Sequence, residues 1–310
     1  MFEPILDCWY LTGPTASGKS LVGLELAEIL GAEIISLDSM AVYRGMDIGT
    51  AKPTWDQRRR VPHHLLDVVD PNQEYSLAEY LTAATELVGD IRARGKQVLF
   101  VGGTPLYLKS LLRGVVEGPP ADPEFRREVE QEVAQVGIEA LRQRLHQVDP
   151  LAAAKLHPHD QRRMIRALEV YRATGQPISH YQMQFDQGHP AEECRVFVLS
   201  WPREVLHRRI NDRVDTMFRE GIMNEVRRLL EVYQTLSETA MHAVGYREVL
   251  AHFAQRCDRE AAIEQTKART RRFARRQETW FRGLSECRWI WRDGSRDPRQ
   301  LAGLIATQAS

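Results

Sequence analysis

Short apolar runs alternate along the chain with longer stretches whose apolar positions recur every three or four residues. Cys8-Trp9-Tyr10-Leu11-Thr12, Glu33-Ile34-Ile35-Ser36-Leu37 and Gln97-Val98-Leu99-Phe100-Val101 read as buried strands. Leu21 to Leu30 has helical spacing and stops at Gly31. Ser76 to Arg94 reads as a second helix, with Ser76 and Glu79 forming a capping box. Strands that alternate with helices predict an α/β fold with a parallel sheet. Between them, Met40 to Pro53 is glycine-punctuated and reads as a surface loop, and residues 54–75 read as loop-rich.

The pattern changes after Gly114. The segment Glu117-Gly118-Pro119-Pro120-Ala121-Asp122-Pro123 is hinge-like, and Glu124 to Thr174 is helical and highly charged, broken at Gly137, at Asp149-Pro150 and again at Gly175-Gln176-Pro177. The next strand is Arg195-Val196-Phe197-Val198-Leu199. Helices over 202–220, 224–233 and about 260–281 follow, then a strand at Arg288-Trp289-Ile290-Trp291 and a short tail. The expected organisation is an α/β core over 1–114 and 195–310, with an all-helical insertion over 115–194.

Composition narrows the class. Lys+Arg and Asp+Glu each total 42 in 310 residues, so a nucleic-acid site has to come from local clustering. The four cysteines are far apart and form no C-x-x-C, which argues against a zinc site or a disulfide scaffold and suits a reducing compartment. The first residues lack the basic and apolar regions of a signal peptide, and no run approaches the ~20 apolar residues of a membrane helix. A cytoplasmic protein is expected.

Candidate chemistry begins at Gly13-Pro14-Thr15-Ala16-Ser17-Gly18-Lys19-Ser20, which fits G-x-x-x-x-G-K-[ST] between a strand and a helix. Backbone amides and a helix N-terminus there cradle phosphates, Lys19 adds charge, and the Ser20 hydroxyl can ligate Mg²⁺. Asp38 and Ser39 follow the second strand and belong beside that loop. The third strand ends in Gly102-Gly103-Thr104 rather than in the Asp of many P-loop NTPases. Close backbone approach to a ligand and a tight turn with a helix cap are both open there. His63-His64 reads as one hydrogen-bonded and one exposed histidine, with joint metal ligation the alternative. Gln161 to Arg166 reads equally as a solvated helix face or a nucleic-acid contact. The last long helix carries Lys267, Arg269, Arg271, Arg272, Arg275, Arg276 and Arg282 against Glu264 and Glu278, a density that favours phosphate contact.

These segments together resemble the tRNA dimethylallyltransferases, also called tRNA isopentenyltransferases, in their bacterial form. The resemblance is carried by Gly13–Ser20, DSMAVYRGMDIGTAKP (38–53), HHLLDVVDP (63–71), VGGTPLY (101–107), RALEV (166–170), VGYR (244–247) and Arg275-Arg276-Gln277 with Trp280. It covers nearly the whole chain. It implies a P-loop-type core and transfer of a dimethylallyl group from its pyrophosphate to N6 of the adenosine 3′ of the anticodon in tRNA. Lys19, with Ser20 and Mg²⁺, would neutralise the leaving pyrophosphate, Arg213 would stand near it, Asp38 would be the general base, and Thr104 would sit at the channel mouth. Asp38, Ser39, Met40, Ala41 and Thr104, Arg126, Arg162, Arg163, Met164, Ile165, Arg166, and His242, Ala243, Val244, Gly245, Tyr246, Arg247 would contact tRNA, joined by Arg271, Arg272, Arg275 and Arg276. Ala41-Val42 stands where Gln-Val is common. The partners so implied are dimethylallyl pyrophosphate and the anticodon stem-loop, with no membrane and a monomeric state. The competing reading is a P-loop small-molecule or nucleotide kinase.

Overall fold

The structure is a computed structural model and describes residues 2–116, 118–182 and 187–308. Glu117 of the expected hinge lies outside the described residues. The chain divides into two compact units, Ile5–Leu112 with Gly188–Ser310, and Met1–Pro4 with Arg113–Gln187.

The larger unit runs β1 (Trp9–Thr12), α1 (Lys19–Leu30), β2 (Ala32–Ser36), α2 (Trp55–Arg60), β3 (His63–His64), α3 (Leu77–Ala93), β4 (Gln97–Val101) and α4 (Pro105–Arg113). Its six strands are all parallel, in the order β3-β2-β4-β1-β5-β6, where β5 is Arg195–Ser200 and β6 is Cys287–Trp291. β4 lies between β1 and β2, so the loops that follow β1, β2 and β4 converge at one edge of the sheet, where ligands of open α/β sheets sit. One core packs Leu11, Val22, Leu26, Ile34, Leu99 and Leu199 against Leu301 and Ile305. Those last two belong to a helix, Pro298–Thr307, where the sequence suggested only a tail. Asp297 and Gln300 form its capping box, and its apolar stripe covers α1.

Met40 to Pro53 is not the surface loop expected. Val42, Tyr43 and Met46 are fully buried in a second core with Val214, Ile222 and Tyr246. These residues lie in turns rather than in a helix or strand, and the helices that bury them are distant in sequence, so the local pattern did not reveal their burial. The residues expected to be loop-rich include a helix whose N-cap, Thr54, forms a capping box with Gln57. His63 and His64 form an edge strand with neither ring exposed: His64 Nε2 lies 2.7 Å from Glu33, and His63 Nδ1 lies 2.8 Å from the Val61 carbonyl.

The smaller unit is helical, as its charge-rich periodic sequence predicts: α5 (Pro123–Val136), α6 (Ile138–Val148), α7 (Pro150–Lys155), α8 (Gln161–Thr174) and α9 (Ile178–Gln182). Phe125, Leu141, Leu145, Met164, Ile165 and Leu168 fill its core. Asp149 is buried because both of its oxygens are used: one caps α7 at Ala152 N and the other accepts from Ser179 N. After β5 the larger unit continues with α10 (Arg203–Glu220), α11 (Ile222–Tyr233), α12 (Glu238–Met241), α13 (Tyr246–Phe253) and α14 (Arg259–Arg282). The Pro298–Thr307 helix is α15.

Candidate active site

Gly13 opens the loop at φ +146, and a Cβ there would meet the Leu199 carbonyl at 2.4 Å, so only glycine lets β1 turn this close to β5. The loop ends at Gly18, the N-cap of α1, which offers no side chain to the first-turn amides. Those amides are left for an anion. The Ser17 hydroxyl is buried with no hydrogen-bond partner. At the end of β4, a Cβ on Gly102 would strike the Leu37 carbonyl at 2.1 Å, so this glycine lets the ends of β2 and β4 pack against each other. Thr104 then fastens the second loop: its hydroxyl accepts from Ser39 N at 3.0 Å, and its amide donates to the Leu37 carbonyl. Asp38 is thereby held at the mouth, with Oδ1 accepting from Met40 N at 2.9 Å.

A cavity of about 110 Å³ joins these loops. Lys19, Ser20, Asp38, Arg213, Gly102 and Gln277 are among its lining residues. Burial pushes the Lys19 ammonium down to about 8, against the pull of the Asp38 carboxylate and helped by the nearby Arg213. Burial also lowers Arg213, whose guanidinium donates to Thr15 Oγ1 at 3.2 Å. Two desolvated cations face one carboxylate, so the cavity carries a surplus of positive charge that an anion would relieve.

Gln277 is a site residue whose role the sequence did not show. From α14, 3 % exposed, its side chain accepts from Thr15 N at 2.9 Å and donates to the Gly103 carbonyl at 2.6 Å. It ties the phosphate loop to the end of β4. Glu225 does the same for the loop after Asp38: buried on α11, it accepts from the amides of Asp47 and Ile48 at 3.0 and 2.8 Å and from the Tyr246 hydroxyl. A buried polar residue facing a loop over 170 positions away leaves no local signal.

The expected tRNA contacts are dispersed. Tyr246, Ala243 and Gly245 are buried and support the 40–53 loop, Val244 is half-buried, and His242 and Arg247 are exposed. In the helical unit Met164 and Ile165 are core, while Arg162 and Arg163 are exposed. Arg126 and Arg166 both grip the buried Glu169, Arg126 at 2.8 Å, and Arg166 also donates to the Pro119 carbonyl. On α14, Lys267 is neutralised by Asp215 and Glu264, Arg269 pairs with Glu248, and Arg271 donates to Asn211. Arg272, Arg275 and Arg276 are exposed and have no acidic partner among the described residues.

Mg²⁺ takes oxygen ligands and keeps several waters. The described residues hold no cluster of three or more His, Cys, Asp or Glu that would cage a metal. The Ser20 hydroxyl, exposed on the cavity wall, is an oxygen donor of the kind Mg²⁺ shares with substrate phosphates and water, so the residues present fit that ion.

The parallel sheet, the loop after β1 and the cationic cavity define a P-loop-type α/β protein. The sequence model of the IPP transferase family matches residues 41–284. A tRNA dimethylallyltransferase of Rhodopirellula baltica is 56 % identical over 93 % of this chain and 89 % of its own, and one of Geobacter metallireducens is 47 % identical over 92 % of each. Among solved structures, the full-length tRNA isopentenylpyrophosphate transferase of Bacillus halodurans superposes with a TM-score of 0.70 at 36 % identity, covering 98 % of this chain and 97 % of that one. A eukaryotic dimethylallyltransferase acting on tRNA gives 0.79 at 28 % identity, covering 97 % and 77 %. The chain belongs to the IPP transferase family, the family of the tRNA dimethylallyltransferases.

Proposed function

We propose that this chain transfers a dimethylallyl group from dimethylallyl pyrophosphate to N6 of the adenosine immediately 3′ of the anticodon in tRNA and releases pyrophosphate. The observation that carries the reading is one cavity with Lys19, Ser20 and Arg213 beside the Asp38 carboxylate. An exocyclic adenine amine is a poor nucleophile because its lone pair is delocalised. The allylic C1–O bond is weak because positive charge at C1 is delocalised. Catalysis therefore needs charge stabilisation on the leaving group, alignment and a proton acceptor. Lys19, Arg213 and the amides of the P-loop supply the first. The N6 lone pair forms the N–C1 bond, the C1–O pair leaves on pyrophosphate, and the N6 proton goes to Asp38. Mg²⁺, held by Ser20 together with phosphate oxygens, would add further neutralisation of the leaving group.

The target adenosine has to be unstacked to reach a cavity of this kind. Thr104 keeps Asp38 and Ser39 in place for it. Arg272, Arg275 and Arg276, and on the helical unit Arg162 and Arg163, the latter 3.4 Å from Asp160, are exposed cations that suit the tRNA backbone. No helix among the described residues is long and apolar enough to cross a membrane, and the reading places the enzyme, as a monomer, in the cytoplasm where tRNA is.

The deciding experiment incubates the pure protein with Mg²⁺, bulk tRNA and labelled dimethylallyl pyrophosphate. The expected products are pyrophosphate and a prenylated adenosine in nuclease digests, with no phosphorylated product from ATP. Phosphotransfer from ATP, with dimethylallyl pyrophosphate inert, would establish the kinase instead.

A further inference from the structure

The loop that follows Asp38 is clamped by one buried carboxylate. Glu225 of α11, 2 % exposed, accepts from the amides of Asp47, Ile48 and Gly49 at 3.0, 2.8 and 3.4 Å and from the Tyr246 hydroxyl at 2.6 Å. A buried carboxylate needs donors on both oxygens and the loop amides need an acceptor, so each holds the other in place. The Tyr246 ring lies so close to Gly49 that a Cβ there would meet it at 2.2 Å. Three residues on, the Lys52 ammonium donates to the Tyr43 carbonyl at 2.6 Å, to Asp47 at 2.8 Å and to Asp67 at 2.5 Å.

What the clamp holds is a wall. Ala51, Lys52, Pro53 and Arg213 line both the cavity of about 110 Å³ that contains Asp38 and a neighbouring chamber of about 600 Å³. Ile48, Trp55 and Met217 give that chamber apolar surface. The two spaces differ in what they can hold. A cavity of about 150 Å³ takes up benzene, so the smaller one has room for a five-carbon group and none for ten carbons. The wall backbone is also constrained: Ala51 stands at φ +51, where residues other than glycine are uncommon.

We propose that Glu225 and Tyr246 are positioning residues for donor selection: they fix residues 47–49, and through them the wall at 51–53 that limits the transferred group to five carbons. The proposal rests on the allylic pyrophosphate donor inferred above and deepens it by assigning what sets the donor's chain length. The chemistry is the same for a longer donor. The N6–C1 bond forms, the C1–O bond breaks and the N6 proton goes to Asp38, so the selection has to be steric. Once the wall is released, a longer chain can turn into the larger chamber and meet its apolar surface.

The test measures transfer to tRNA from dimethylallyl and from geranyl pyrophosphate and reads the ratio of the two kcat/KM values. Wild type should favour the five-carbon donor by about a hundredfold or more, because a single surplus methylene already costs a filled pocket about 10–200-fold. Glu225→Met keeps the bulk and removes every acceptor, and it should reduce that preference about tenfold or more. Glu225→Gln keeps an acceptor oxygen for the amides and should restore most of it. Ala51→Gly reaches the wall without touching the clamp: it removes a methyl that lines both spaces, and φ +51 suits glycine, so it folds whether or not Glu225→Met does. Its preference should also fall about tenfold. A clamp that only stabilises the fold lowers transfer from both donors by the same factor. The wild-type ratio in Ala51→Gly, or in folded Glu225→Met, overturns the proposal, as does a wild type that uses both donors equally. Wild type that modifies tRNA with neither donor would strike the donor reading itself, a separate result from an unchanged ratio.

Discussion

Lys19 makes the affinity for the donor depend on pH in a direction that the structure sets. Burial brings its ammonium down to about 8 in the ligand-free protein; Asp38 pulls it up and Arg213 pushes it down, and no other charge is close enough to matter as much. With that value about nine-tenths of the lysines are charged at pH 7 and about one-tenth at pH 9. A bound pyrophosphate holds the lysine protonated, so binding at pH 9 takes up about 0.9 proton, and affinity falls about tenfold from pH 7 to 9. The donor's terminal phosphate loses its last proton near pH ~6, as in phosphate monoesters, and stays out of this window. Isothermal titration of dimethylallyl pyrophosphate in buffers of different ionisation enthalpy reads both quantities. Lys19→Met should bind weakly, with no pH dependence between 7 and 9. A wild-type affinity flat over that range, with no proton uptake, would mean that Lys19 is fully charged without its ligand and that burial does not lower it. The folding effect has its own sign: while charged in both states, below about pH 8, the buried lysine opposes folding, and this penalty fades as pH rises from 8 towards the ordinary 10.5.

Asp38→Asn keeps the shape and the Met40 contact but removes the proton acceptor, so single-turnover transfer to tRNA should fall by about 10²–10⁴-fold while donor affinity stays near wild type; weak donor binding with normal chemistry would make Asp38 a positioning residue. On α14, the Arg272→Gln/Arg275→Gln pair should lower the slope of log affinity for tRNA against log salt by roughly one to two, whereas Lys267→Gln, already neutralised by Asp215 and Glu264, should leave it unchanged. Equal slopes for all three proteins would place the tRNA elsewhere.

Much of this molecule is written locally. The strand, glycine loop and helix at 9–30 are legible because the apolar period and the Gly18-Lys19-Ser20 step are contiguous. The Ser76–Glu79 capping box fixes the start of α3 for the same reason. The resemblance carried by 38–53 pointed to the family that the comparisons then established. Local signals fail where the stabilising partner is distant. His63-His64 is a strand only because the edge of β2 is there to pair with it. Val42, Tyr43 and Met46 are buried because α10, α11 and α13 close over a segment that forms no helix or strand of its own.

What the sequence determined by itself is the chemistry of the phosphate loop, the alternation that demands a parallel sheet, and the charge density of α14. Which of those charges are paired follows from packing alone. The guanidiniums of Arg126 and Arg166 meet on the buried Glu169, and the Lys267 ammonium meets Asp215, pairings that no local pattern announces. Gln277, Trp201, Arg209 and Arg292 show no link to the phosphate loop until the fold brings them to Thr15, Ala16 and Ser17 from more than 180 residues away. The physical reason is the range of the forces involved. Periodicity and capping act within a few residues, whereas a buried hydrogen bond or ion pair is fixed by whatever the packed sheet sets beside it.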